Sequence, residues 1–130
     1  MPPVGGTLHL PRRPEAAAEA RRAVAELAGA DSPLASDLRL LVTELVANRV
    51  RSAVGVNAAW LELTLLLSDD VVRVELNDVG PRWVFDISPF TYEPEDSTGW
   101  SIYLVDRLAD RWGVSRAESS VSVWFELDRD

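Results

Sequence analysis

The sequence predicts an α/β chain: a two-layer α+β sandwich whose mixed, mostly antiparallel sheet carries about three helices on one face. Three observations predict it. Residues 60–67 and 71–77 alternate apolar and polar side chains on either side of Ser68-Asp69-Asp70, which reads as a hairpin. Residues 14–28, 34–53 and 100–112 repeat apolar side chains at helical spacing. Strands with one apolar and one polar face need cover on one side only, so the helices belong to a single layer.

Each element follows in order. Residues 1–6 are rich in Pro and Gly and read as a loose N-terminus. Thr7-Leu8-His9-Leu10 alternates and reads as a short edge strand. Pro14 to Ala28 is rich in Ala and Glu, with Pro14 near the first turn and Gly29 as the stop. Asp31 or Ser32, followed by Pro33, opens the next helix, Leu34 to Ala53. On its wheel Leu34, Leu38, Leu41, Val42, Leu45 and Ala53 share an arc, and Asp37, Glu44, Asn48 and Arg51 line one flank. The two strands come next. Residues 77–99 then have no period, and about 20 residues without regular structure suit either a surface loop or a functional lid. Trp100 to Trp112 reads as a helix with an apolar stripe of Leu104, Val105, Leu108, Ala109 and Trp112, an N-cap at Thr98 and a terminating Gly113. Val121 to Leu127 alternates as a last strand. All 130 residues make one domain.

Composition narrows the chemistry. The chain has no Cys and one His, His9, which argues against thiol chemistry, zinc and a Ser-His-Asp site. All 13 basic residues are Arg, so no catalytic Lys or P-loop Lys exists. A net charge of −8 disfavours binding to a phosphate backbone and suits a basic protein partner. No stretch is apolar enough for a membrane span and the N-terminus has no signal-peptide pattern, so a cytoplasmic location is expected.

Three clusters carry candidate chemistry, and each has a plain structural reading. Glu44 and Asn48 lie one helical turn apart: a carboxylate beside a carboxamide suits a hard cation and a proton transfer, or simply a solvated helix edge. Asp78-Val79-Gly80 follows a strand, where Asp can accept from an amino group and Gly permits close approach, or a turn begins. Gly99-Trp100-Ser101 stands at a helix start, where free N–H groups suit a phosphate, or a cap is needed.

Together these clusters resemble a known pattern. Residues 40–53 (LLVTELVANRVRSA), 72–82 (VRVELNDVGPR), 97–114 (STGWSIYLVDRLADRWGV) and 123–127 (VWFEL) look like the Bergerat ATP-binding domain shared by histidine kinases, gyrase B, mismatch-repair ATPases and heat-shock chaperones. More closely, from Thr7 onward the chain resembles the small bacterial anti-sigma-factor serine kinases and their actinobacterial relatives. The resemblance implies a Bergerat fold that binds ATP and Mg. Asn48 would hold Mg with the phosphates, and Glu44 would be the catalytic base for a serine or threonine on an anti-sigma antagonist. Asp78 would read the adenine amino group, with Gly80 allowing close approach. Gly99, Trp100 and Ser101 would cradle phosphates, under an ATP lid at residues 81–98. Implied partners are a sigma factor, the antagonist and a second copy of the chain, with no direct nucleic acid and no membrane.

The sequence departs from the family at three places. Arg49 replaces a small residue after the Mg-binding Asn and falls near the centre of the apolar arc. Ser52 stands where His or Tyr is usual. Gly99-Trp100-Ser101 replaces Gly-Arg-Gly, and a Ser at positive φ would be disfavoured by roughly 1 kcal/mol. The readings therefore divide: an ATP-dependent anti-sigma regulator with kinase activity, a nucleotide-free protein-binding module on the same fold, or an unrelated α/β binding domain.

Overall fold

A computed structural model describes residues 4–11, 13–28, 33–52, 60–79, 97–116 and 120–129. In chain order the elements are β1 (Val4–Pro11), α1 (Glu15–Ala28), α2 (Pro33–Ser52), β2 (Trp60–Leu67), β3 (Val71–Val79), α3 (Ser97–Leu108), β4 (Arg111–Arg116) and β5 (Ser120–Asp128). The strands form one sheet in the order β1-β2-β3-β5-β4. Every pairing among the described strands is antiparallel.

The alternation in the sequence becomes two faces of the sheet. Inward rows run straight across the strands: Gly6, Leu65, Val74, Phe125 and Trp112 in one, Leu8, Leu63, Leu76, Val123 and Val114 in the next. Leu63, Leu65, Val74, Leu76, Val123 and Phe125 are all buried. They pack under Leu38, Leu41, Val42, Leu45 and Val46 of α2 and under Val105 of α3, with Ala16, Ala20 and Val24 of α1 in the same core. α2 lies against both other helices and against β3. Ser68 closes the β2–β3 hairpin, with its N–H and its hydroxyl both 3.0 Å from the Val71 carbonyl oxygen.

Four sequence expectations change. β1 begins at Val4, so residues 4–6 are paired with β2 rather than loose. Among the described strands every pairing is antiparallel, and no parallel pair of the expected mixed sheet occurs there. The last helix starts at Ser97, which places Thr98 inside it, and stops at Leu108. Residues 111–116 instead form β4, a strand that the sequence reading lacked. Trp112 still packs on the core, but it does so from a strand position opposite Phe125. Gly113 ends no helix and sits opposite Trp124. Residues 29–32, where the Gly29 stop and the Asp31 or Ser32 start were expected, and Ala53 lie outside the described residues.

The other face of the sheet is mostly polar and carries two hydrogen-bonded chains of side chains. The Asn77 amide nitrogen donates to Glu62 at 3.1 Å, His9 Nε2 lies 3.0 Å from the other Glu62 oxygen, and the Ser122 hydroxyl donates to Asn77 at 2.9 Å. A second chain runs from Arg73 to Glu126 at 3.0 Å, and from Arg111 to Glu126 at 2.7 Å and Asp128 at 2.5 Å. The Arg73 guanidinium stacks 4.5 Å from the centre of the Trp124 ring, and the edge of that ring lies over Gly113. Hydrogen bonds from Arg111 hold the Glu126 and Asp128 carboxyls below their ordinary pKa, against the opposing effect of desolvation.

Two outcomes follow from this face. A Cβ at Gly113 would lie 2.8 Å from Trp124 Nε1, so Gly113→Ala should lower stability by about 1–3 kcal/mol in urea denaturation. Adding Trp124→Val should recover most of that loss. The depressed carboxyls contribute stability above the ordinary carboxylate range and lose it as pH falls through their folded values. Arg111→Gln should therefore flatten the acid limb of a stability–pH curve below about pH 5; an unchanged limb would remove Arg111 from that role.

Candidate functional site

The three candidate clusters fall on three elements, of which α2 adjoins the other two. Glu44 and Asn48 occupy the second half of α2, Asp78 is the penultimate residue of β3, and Gly99, Trp100 and Ser101 lie in the first turns of α3. α2 packs directly against β3 and α3. Gly80 and residues 81–96 of the expected lid lie outside the described residues, whereas Ser97 and Thr98 belong to α3.

The Glu44–Asn48 edge is not a solvated helix edge. Asn48 is only 1% exposed, and Glu44, one turn earlier, is half-buried. A carboxamide taken out of water keeps its place in a core only where it is partnered, and Glu44, Asn48 and Arg49 each take part in at least one polar or electrostatic interaction. Arg49 is 3% exposed, as its place on the apolar arc predicted. A buried guanidinium adjacent to a buried Asn makes this turn of α2 the most polar part of the core. Thr43, which the sequence reading passed over, adds a buried Oγ1 with no hydrogen-bond partner among the described residues. Its only signal in the sequence was a hydroxyl one residue before Glu44.

Asp78 lies near the end of β3, in register with Leu61 on one side and Val121 on the other. The α3 start lies two residues ahead of Gly99. In a helix beginning at Ser97, the amides of Gly99 and Trp100 are among the first four without an intrahelical acceptor, and Ser101 is the fifth. Ser101 also has helical backbone, so no positive-φ penalty falls on its side chain. That removes one of the expected obstacles and leaves Arg49 as the principal departure.

The donor set suits a shared cation better than a protein-only metal centre. Among the described residues no three His, Asp or Glu side chains gather into a metal site. One carboxamide and one carboxylate would complete a hard-cation shell only together with oxygens from a bound phosphate. Amides at a helix start would supply the matching anion site.

Among the described residues an antiparallel sheet is covered on one face by three helices, with an acid–amide pair on the central helix, an α+β sandwich of the ATPase-domain type. The family model for the histidine kinase-like ATPase domain matches residues 10–126, and the chain belongs to that family. No curated protein matches the chain. No described helix is long and apolar enough to cross a membrane.

Arg49 offers a direct test of how this turn is held. Arg49→Met keeps the length and removes the charge. It should leave the unfolding free energy unchanged or raise it by about 1 kcal/mol, because buried ion pairs seldom outperform apolar packing. A loss of about 3 kcal/mol or more in urea titrations would mean that the guanidinium is a structural tie.

Proposed function

We propose that the chain is an ATP- and Mg-binding regulator of the anti-sigma-factor type, acting as a serine/threonine protein kinase on an anti-sigma antagonist. The observation that carries this reading is the half-buried Glu44 one turn from the buried Asn48, on the helix that packs against β3 and α3. Asn48 Oδ1 would face the cation, the Asp78 carboxylate the adenine amino group across from Gly80, and the Gly99 and Trp100 amides the phosphates. The Mg-nucleotide supplies the transferable phosphoryl group and neutralises its charge. Glu44 would accept the proton of the partner's hydroxyl as that oxygen attacks. The sigma factor, the antagonist and a second copy of the chain are the proposed partners, in the cytoplasm.

A second reading rests on Arg49. Arg49 follows Asn48 directly and is buried, so it adds a positive charge to the turn that would hold the cation, which favours a nucleotide-free module that kept the fold and its protein-binding surface.

Calorimetry with Mg-ATP separates the two. On the kinase reading, saturation at 100 times the dissociation constant raises stability by about 2.7 kcal/mol. Asn48→Ala abolishes that gain, and Glu44→Gln keeps the binding but loses phosphoserine or phosphothreonine formation on the antagonist. Arg49→Ala should tighten nucleotide binding roughly tenfold, equivalent to about 1.4 kcal/mol. Wild-type protein that shows no heat and no shift with Mg-ATP establishes the nucleotide-free module.

A further inference from the structure

A cavity of about 340 Å³ opens between the first half of β1 and the last turns of α1. Its floor is apolar: Leu8, Ala23, Leu27 and Leu65. It exists because Gly6 occupies a core-facing position, in the row of Leu65, Val74 and Phe125, without filling it. A Cβ built on Gly6 meets nothing within 4 Å. Gly5 is the opposite case. Its φ of +150° belongs to glycine, and a Cβ there would run into the Leu65 carbonyl oxygen. Thus the backbone demands glycine at position 5, whereas no described neighbour demands it at position 6. Glycine inside a strand costs roughly 0.5–1 kcal/mol relative to alanine. It often marks a place where a ligand or another chain comes close.

The rim of the cavity sets the charge of that ligand. Glu26 lines it, from the last turns of α1. α1 has no basic residue in its last turn, so the negative pole of the helix adds to the carboxylate. No ion pair to Glu26 occurs among the described residues, in a chain whose net charge is −8. An apolar floor with an acidic rim suits a side chain with a hydrocarbon stem and a cationic head. Among the described strands β1 is also an edge, paired only with β2, so its outer backbone groups suit another strand.

We infer that this groove docks an extended basic segment of a partner protein, which adds a sixth strand beside β1 and lays an arginine side chain over Gly6 against Glu26. The overall negative charge steers such a segment toward the protein. The groove draws on β1, α1 and β2 and on no residue of α2, β3 or α3, so it is independent of the nucleotide reading.

The test is an amide NMR titration of the full chain with three probes. They are acetyl-Thr-Val-Arg-Val-Thr-amide, the same peptide with Glu in place of Arg, and butylguanidinium. The Arg peptide should shift the Gly5, Gly6, Leu8 and Ala23 amides with saturation in the millimolar range. The Glu peptide should not, and butylguanidinium should bind more weakly because it forms no strand. Gly6→Leu fills the cavity and should abolish the shifts while keeping or raising the melting temperature, and Glu26→Gln should weaken binding roughly tenfold. The inference is overturned if the Arg peptide leaves these amides unmoved, if the Glu peptide or butylguanidinium matches it, or if folded Gly6→Leu binds it as well as wild type does.

Discussion

The burial of one sheet face beneath α2 is the constraint on which the rest of the molecule depends. Leu38, Leu41, Val42, Leu45 and Val46 of this helix and Val72, Val74, Leu76 and Phe125 of the sheet leave water together. Each such side chain contributes about 1.5–3 kcal/mol when fully buried. Because α2 has β3 beneath it and α1 and α3 beside it, it is enclosed on more sides than a surface helix. Any polar residue on its inner flanks is then drawn inside with the apolar ones. That is how Asn48 and Arg49 come to be buried, and why this turn must have a chemical reason for being polar.

The two faces of the sheet divide the labour. The inner face holds the fold together. The outer face satisfies itself through cross-strand pairs, from His9 through Glu62 and Asn77 to Ser122, and from Arg73 and Arg111 to Glu126. Trp124 belongs to this outer face, held between a guanidinium and the bare backbone of Gly113. The two edges of the sheet differ. β4 is tied back to α3 by the Trp112 indole, which donates to Asp106 at 3.0 Å. β1 carries two glycines and an unfilled space between itself and α1. The proposed nucleotide site and the edge groove thus lie on separate elements.

Most of the architecture was legible because burial on one face imposes a period of two on strands and about three and a half on helices. β2, β3, α1 and α2 all follow that rule closely. β4 was missed for a definite reason. Leu104, Val105, Leu108 and Ala109 set a helical rhythm, and Trp112 continues it by coincidence of spacing. Within Arg-Trp-Gly-Val-Ser-Arg the alternate rhythm was also present, but six residues are too few to overrule the longer pattern. Of the site, the helical wheel already placed Arg49 on the buried arc, whereas Asn48 was assigned to an edge that proved to be enclosed.

By itself the sequence determined the layers, the strand faces and the antiparallel hairpin, because local periodicity and chain order are enough for these. Tertiary structure alone decided how deeply the Glu44–Asn48 edge is buried, since that depends on which helices flank α2. It also decided where α3 begins, and that Ser101 carries ordinary helical backbone. The difference between Gly5 and Gly6 is likewise invisible in a string of letters. One glycine is required by a clash with a carbonyl 60 residues away in sequence, and the other by nothing that touches it.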